Sequence, residues 1–194
     1  TNSITAEIDH IAGWAATNNL TLNTTKTKEL MLSRPKFKKS DLPPLVPGIV
    51  RVESLNVLGV IFQDKLSFNE HVKKIVCKCA QGFYALRTLK AHGLSGTALW
   101  DVAEASILSS ALYASQAWWG MIDCSCKTQL EAVLRKIIKQ GFLSPSHISF
   151  SEACNKADIT LFETVLKNLH HVLRHLLTPI RTSEYNFRRR AHNR

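Results

Sequence analysis

The side chains in this sequence that best suit the binding of phosphates are the cations of one predicted helix. Between His71 and Trp100 the chain carries five basic residues and no acidic one: Lys73, Lys74, Lys78, Arg87 and Lys90. The three lysines that come first share the polar side of the helix within about one turn, so they can project together towards phosphates. A solvated helix face is the alternative, and this pattern alone leaves both interpretations open. Further basic clusters raise the case for nucleic-acid contact: Arg135, Lys136 and Lys139, and Arg188, Arg189 and Arg190.

Thiols and imidazoles form a second group of candidate ligands. Four cysteines fall in two close pairs, Cys77 with Cys79 and Cys124 with Cys126. The gap of one residue inside each pair differs from the two-residue gap of a zinc ribbon, and Cys79 lies on an apolar stripe. Buried free thiols are therefore favoured over a zinc site. His171 and His175 are one helical turn apart, but no HExxH motif accompanies them. We predict no metal site in this chain.

Lys26 and Lys28 lie between two segments of extended pattern, among threonines. A lysine in a loop can donate a proton or hold a phosphate, although an ordinary surface lysine has the same local sequence. The chain contains no glycine-rich phosphate loop and no nucleophile elbow. It also contains no two adjacent aspartates. Because two-metal phosphoryl transfer needs clustered carboxylates, no complete site of that kind is visible in the sequence.

The elements that must position these residues divide into two regions. In the first, helical spacing predicts a helix over residues 3–19, and the chain then alternates briefly at Leu20 and Leu22. Strands are predicted over residues 29–33, 49–52 and 57–62, and a hairpin across 51–56 is compatible with the pattern. Gly59 would allow another backbone or a ligand to approach the third strand closely. Lysines and prolines over residues 34–47 predict an exposed basic loop.

The second region is helical. Ser67 and Glu70 match a capping box at the start of a long helix that Gly93 ends. The predicted apolar stripe of this helix consists of Phe68, Val72, Ile75, Val76, Cys79, Phe83 and Leu86. Further helices are predicted over residues 96–119, capped by Ser95; over 127–140, ended by Gly141; near Ser151; and from Thr160, capped with Glu163, to Pro179.

The sequence therefore predicts an α+β fold, with short antiparallel strands in residues 1–66, a mainly helical bundle in 67–178 and a basic tail in 179–194. Its 194 residues are 45% hydrophobic, enough for a packed core, and 25 Lys and Arg against 15 Asp and Glu give a formal charge of +10. That balance disfavours acidic activation segments and favours polyanion partners. Five cysteines without a signal peptide predict a reducing, intracellular compartment, nucleus or cytoplasm. The chain begins at Thr1, which is compatible with a piece of a longer protein.

Residues 105–122 carry no charged side chain and reach the minimum length of a membrane span. Serines and a glutamine within the segment, and acidic residues at its flanks, favour a buried core helix instead. We therefore predict no membrane partner, and a small membrane protein is the weaker alternative.

Three stretches of the chain together resemble the reverse transcriptase of non-LTR retrotransposons of the LINE and jockey-like kind. The first is IDHIAGWAATNNLTLNTTKTKELMLS, residues 8–33, which looks like the W…NNL-x-LN-x-x-KT block of that family. The second is VESLNVLGVIFQDKLSFNEHVKKI, residues 52–75, which is similar to the family's LGV…L-x-F-x-x-H passage. The third is YNFRRRAHNR, residues 185–194, at the chain's end. Their order and spacing also agree with the family, and together they span nearly the whole chain.

This resemblance implies the end of the palm followed by the thumb of an RNA-directed DNA polymerase. It implies that Lys26 acts as the proton donor to leaving pyrophosphate, with Lys28 as a less certain alternative, and that Leu58, Gly59 and Val60 match the primer-grip strand. The basic helix would follow the duplex of RNA template and DNA primer. The metal-binding aspartate pair, and with it the Mg²⁺ of the parent polymerase, would belong to the remaining palm and fingers, so this chain by itself is expected to bind no cofactor.

An interpretation from another class competes with this one. The apolar helix faces could instead dock a partner protein, in a catalytically inert interaction module or a decayed transposon remnant. The two hypotheses differ over the basic helix, because only the polymerase hypothesis requires its lysines to contact nucleic acid.

Overall fold

The structure is a computed structural model that describes residues 2–33 and 42–178. Helix α1 covers Asn2–Thr17 and is followed by four short strands, β1 at Lys28–Leu30, β2 at Val50–Val52, β3 at Ser54–Val57 and β4 at Val60–Gln63. The helices after them are α2 at Asn69–Ala91, α3 at Gly96–Ala103, α4 at Ser109–Leu112, α5 at Cys124–Lys139 and α6 at Phe150–Lys167. The mixed helical and strand content predicted from the sequence is confirmed.

The strands form two small sheets. Strands β1 and β2 pair in parallel, with Lys28 opposite Val50, while β3 and β4 pair antiparallel. The antiparallel pairing predicted for this region is therefore correct for β3 and β4 and wrong for β1 and β2. Arg51 of β2 fixes the first sheet, because its guanidinium contacts the Glu29 carboxylate of β1 at 2.8 Å and donates to the Pro43 carbonyl. Both side chains of this ion pair are mostly buried. The arginine thereby ties the chain before β2 to the parallel strands.

The predicted third strand over residues 57–62 is wrong in one respect. Val57 and Val60 face each other across a two-residue turn formed by Leu58 and Gly59, so the segment is the end of one strand, a turn and the start of the next. Leu58 has a φ of 49° and Gly59 a φ of 93°. Positive φ at both central residues matches the twist of a hairpin, and glycine adopts that conformation without a steric penalty. The hairpin considered across residues 51–56 does not form, because β3 pairs with β4.

Helix α2 packs one apolar face into the core. The predicted stripe is confirmed: its members are buried except for half-buried Val76. The predicted capping box is absent, since the helix begins after Phe68 and no side chain caps it. Phe68, the residue that precedes the first turn, is 1% exposed and belongs to the core. The helix ends at Ala91, and the predicted stop at Gly93 has a φ of 95°.

The single helix predicted over residues 96–119 is interrupted. Helix α3 continues through one wide turn, Glu104–Leu108, into α4, and the helix then ends at Leu112. Ala114 takes a left-handed conformation with a φ of 50°, and short turns at Ser115–Ala117 and Trp119–Met121 follow. Trp118 and Trp119 are both buried.

The last two helices pack against this core. Helix α5 buries Leu130, Leu134 and Ile137, as its pattern predicts. The short helix near Ser151 and the helix from Thr160 are one continuous helix, α6, and Thr160 and Glu163 lie inside it. Helix α6 ends at Lys167 instead of reaching Pro179. Its capping box is formed by Ser149 and Glu152.

None of the helices in residues 2–33 and 42–178 combines the length and the apolar composition needed to cross a membrane. The predicted basic tail, with Arg188, Arg189 and Arg190, lies outside the described residues, as do Lys36, Lys38 and Lys39 of the predicted loop.

Candidate nucleic-acid interface

The hairpin turn between β3 and β4 lies beside the basic face of α2. Leu58 at the tip is 87% exposed, while Val60 at the base is buried in the core. The turn is therefore anchored on one side and open to solvent at its tip. This places two of the three predicted primer-grip residues, Leu58 and Gly59, on an accessible surface.

Tyr113, at the end of α4, holds this turn from the other side. Its hydroxyl donates a hydrogen bond to the Leu58 carbonyl at 3.2 Å. A Cβ added to Gly59 would lie 3.3 Å from Cε1 of the same ring, so the ring lies directly against the glycine. The Tyr113 carbonyl in turn accepts from Nε1 of the buried Trp118 at 3.1 Å. The core thereby determines where the exposed turn lies.

His71 ties β4 to α2. Its Nδ1 accepts from the Ile61 amide at 3.4 Å, and its ring meets Trp118 edge-on with centroids 5.2 Å apart. The imidazole is buried, and its Nε2 has no hydrogen-bond partner among the described residues. Burial lowers the pKa of His71, and the Lys74 ammonium lowers it further. The neutral ring, with Nδ1 as acceptor, is therefore the form that suits this position.

These contacts create a pocket of about 630 Å³, which we call the hairpin pocket. It is lined by the turn, by α2 and by the end of α4, with residues that include Leu58, Gly59, Lys74, Lys78, Ser110 and Tyr113. None of the described residues that line it is a carboxylate, and both lysines are exposed. Two ammonium groups, a hydroxyl and a backbone turn are the groups that proteins commonly present to the phosphates and sugars of a nucleic acid.

The five predicted cations of α2 do not form one surface. Lys74 and Lys78 line the hairpin pocket. Arg87 and Lys90 lie on the other flank of the helix, where they line a groove against the end of α5. Lys73 is exposed and lines neither. Helix geometry permits this division, because positions 74 and 78 are roughly 120° to 160° away from position 90 around the helix axis at about 100° per residue. The neighbours on each flank, the hairpin and the end of α5, then place the cations in separate pockets.

Lys26 does not line the hairpin pocket. It is exposed at the end of a turn in which its amide donates to the Asn23 side-chain oxygen at 3.1 Å. Lys28 begins β1 and is also exposed. The structure thus brings the predicted primer-grip turn together with two of the predicted lysines, but leaves the two candidate proton donors outside that pocket.

The cysteines do not converge on a metal. Within the described ranges no group of three or more His, Cys, Asp or Glu side chains could hold a metal ion. Cys77 and Cys124 are exposed, whereas their partners in each pair, Cys79 and Cys126, are buried. Burial raises the pKa of the Cys79 thiol to about 11. A thiol at so high a pKa stays protonated near neutral pH.

Tyr113, Ser110 and His71 were not among the residues predicted for the site. His71 had a signal, because it is the histidine of the L-x-F-x-x-H passage. Tyr113 and Ser110 had none, since they lie in an uncharged run that predicts only a buried helix. Comparisons with protein-family models, with curated proteins and with solved structures find no match to this chain.

Proposed function

We propose that this chain is the palm-end and thumb region of a non-LTR retrotransposon reverse transcriptase, and that it holds the duplex of RNA template and DNA primer. The observation that carries the proposal is the hairpin pocket. It joins the turn of the LGV motif to Lys74 and Lys78, which lie 15 or more positions further along the chain. The sequence resemblance, which does not depend on the pocket, assigns the turn to the primer terminus and the basic helix to the duplex of template and primer.

The pocket would act on the sugar–phosphate backbone. Lys74 and Lys78 neutralise phosphates and release counterions, which gives affinity that does not depend on base sequence. The Ser110 hydroxyl can donate to a phosphate oxygen, and the turn at Leu58 presents backbone groups at the rim. Because Tyr113 and His71 fix the turn from two sides, the strand end would meet a preformed surface.

The nucleotide-adding reaction needs Mg²⁺ held by clustered carboxylates. The described residues do not form such a cluster, so they do not fit the metal site. We therefore assign the metal and the reacting groups to the remaining palm and fingers of the parent polypeptide. Lys26 remains the proposed proton donor, on the strength of the motif alone.

Two features of the first region support a missing neighbour. The apolar stripe of α1 is largely uncovered by the described residues, with Ile4 38% exposed and Ile11 48% exposed. Strands β1 and β2 form a parallel pair of three residues each. Parallel strands normally lie in the buried interior of larger sheets. Further palm strands and their helices would cover both features.

Titration of a labelled RNA–DNA duplex by fluorescence anisotropy tests the proposal. The double variant Lys74→Gln with Lys78→Gln should weaken binding about tenfold or more at low salt, and should reduce the slope of log K against log salt by about 2. The matched control removes the same charge outside the pocket, by Lys139→Gln with Lys156→Gln. Equal weakening in both variants, or binding that ignores salt, would contradict the pocket as the duplex site.

One observation favours the second candidate, a protein-interaction module. Helix α6 carries an exposed apolar stripe on the side away from the core: Ile159 at 60%, Phe162 at 55% and Leu166 at 48% exposure. These positions are spaced for one helix face. The same titration distinguishes the two functions, because an interaction module without a nucleic-acid role would not bind the duplex. Substitution of Lys74 and Lys78 would then have no binding to weaken.

A further inference from the structure

A second cationic groove runs along the opposite flank of α2, and nothing in the duplex-holding function requires it. It has two adjoining parts of about 500 and 170 Å³ that share Arg87 and Gln140, and we call it the α2–α5 groove. Its charged lining residues are Arg87, Lys90 and Lys136, and no acidic side chain lines either part. Three cations without a carboxylate give the groove the composition of a site that binds polyanions.

Two of the three cations of this groove are held in place by contacts that do not neutralise them. The Lys90 ammonium donates to the Gln140 carbonyl at 3.1 Å and lies 5.6 Å from the centre of the Phe142 ring. The Lys136 ammonium lies 5.3 Å from the centre of the Phe83 ring. Within the described part of the chain, none of the three cations pairs with a carboxylate. Their positive charge therefore remains available to a ligand.

An aromatic ring stands at the edge of the groove. Tyr84 is 77% exposed although it belongs to the helix that carries the core, and it lines the part of the groove that contains Arg87 and Lys136. A large exposed ring beside two cations is the combination used to stack a base while its phosphates are neutralised. Gln140, on the same lining, adds a side-chain amide that can bond to a base edge.

We propose that the α2–α5 groove binds single-stranded nucleic acid, with one base stacked on Tyr84 and the adjoining phosphates on Arg87, Lys136 and Lys90. Bases in a duplex are stacked on one another and cannot offer a face to Tyr84, so the groove selects an unpaired strand. An acidic peptide would satisfy the cations but would leave the tyrosine ring without a role. The groove is a separate site from the hairpin pocket, and it does not depend on the polymerase assignment.

The test uses the whole chain and a labelled single strand of about 12 nucleotides, within the range covered by single-strand-binding folds. Tyr84→Leu should weaken binding about fivefold or more, and Tyr84→Phe should retain most of the affinity because phenylalanine keeps the stacking face. Neither substitution should alter duplex binding through Lys74 and Lys78. Since Tyr84 is mostly exposed, both variants should fold, which circular dichroism can verify.

A charge-matched pair of variants tests the cations. Arg87→Gln with Lys136→Gln should weaken single-strand binding about tenfold and reduce the salt slope by about 1.4. Lys73→Gln with Lys139→Gln removes one charge from each of the same two helices outside the groove, and should change affinity by no more than about twofold. RNA and DNA strands tested side by side show whether the sugar contributes.

Three results would overturn the proposal: equal losses in the two charge-matched variants, wild-type affinity in Tyr84→Leu, or polyglutamate competing as well as the oligonucleotide. The outcome is independent of the hairpin pocket. If Lys74→Gln with Lys78→Gln leaves duplex binding intact while the Tyr84 and Arg87 variants lose the single strand, the proposed function fails and this inference stands.

Discussion

Gly59 is the residue on which the geometry of the hairpin pocket depends most directly. It meets two independent demands, a φ of 93° and a Tyr113 ring 3.3 Å from where a Cβ would lie. Gly93 meets only the first, because its φ is 95° but a Cβ added there would have no atom within 4 Å. A comparison of the two glycines therefore distinguishes the effect of the backbone conformation from the effect of the Tyr113 contact.

We predict that Gly59→Ala lowers the free energy of unfolding by about 2–3 kcal/mol, the sum of left-handed strain and a disturbed Tyr113 hydrogen bond. Gly93→Ala should lower it by only about 1 kcal/mol, because it adds the backbone strain alone. Urea denaturation followed by circular dichroism measures both. Equal losses at the two positions would mean that the Tyr113 contact does not constrain the turn.

His71 predicts how stability depends on pH. Its pKa is lowered in the folded chain by burial and by Lys74, whereas in the unfolded chain it titrates at about 6.5. Below that pH the unfolded state therefore binds more protons than the folded state. Stability is unaffected by this group above about pH 6.5, falls as the pH drops below it, and levels off below the folded pKa.

We expect the wild-type chain to lose more stability between pH 7.5 and 5 than a His71→Asn variant does. The asparagine oxygen can accept the Ile61 amide in place of Nδ1 but does not titrate. His10→Gln, at an exposed position of α1, serves as the control and should follow the wild type. An identical pH dependence in His71→Asn and the wild type would show that His71 does not carry the effect.

At the scale of elements, the two flanks of α2 face different neighbours around one buried stripe. One flank, with Lys74 and Lys78, faces the hairpin, and the other, with Arg87 and Lys90, faces the end of α5. A single amphipathic helix can thus serve two binding surfaces, because its polar arc is wide enough for two neighbours. The sequence pattern indicated the arc but not its division.

Helix starts provide a matched test at the same scale. At α6 the Ser149 hydroxyl accepts from the Glu152 amide at 3.1 Å, and the Glu152 carboxylate accepts from the Ser149 amide at 2.8 Å. The Ser149 amide, together with the Ser149 hydroxyl that also donates to this carboxylate at 2.8 Å, lowers the pKa of Glu152. At α2 no side chain caps the helix, and the Ser67 hydroxyl lies as far as 3.4 Å from the Asn69 amide.

We predict that Ser149→Ala lowers the free energy of unfolding by about 1 kcal/mol, whereas Ser67→Ala changes it by a few tenths at most. Chemical denaturation of the two variants in parallel measures the difference. A larger loss of stability in Ser67→Ala than in Ser149→Ala would support the capping box that the sequence predicts for α2.

At the scale of the whole molecule, the proposed function assigns duplex binding to this chain and the chemical step to the remaining palm and fingers of the parent polypeptide. The chain carries a formal charge of +10 but no adjacent aspartates. We predict that it binds template–primer duplex yet adds no nucleotides to a primer when supplied with Mg²⁺ or Mn²⁺ and all four deoxynucleotides. Gel analysis of a labelled primer measures this, with any active reverse transcriptase as the positive control. Robust extension would disprove the division.

The local pattern determined those parts of the fold that depend on neighbours along the chain. The stripe of α2 and the inward face of α5 follow from the helical period, because one side of each helix must be buried whatever covers it. For the same reason the sequence placed Lys73, Lys74 and Lys78 on the polar side of α2, where all three are exposed. The role of Leu58 and Gly59 comes from the motif and stays a prediction.

Tertiary contacts decided the rest. The turn at Leu58 and Gly59 is positioned by Tyr113, more than 50 positions away, and no local period encodes such a contact. The helical period also did not show that the long uncharged segment is interrupted after Leu112, where a left-handed residue at Ala114 precedes the buried Trp118 and Trp119. Whether two lysines share a pocket depends on which elements lie on either side of their helix, so only the packed structure could separate Lys74 and Lys78 from Arg87 and Lys90.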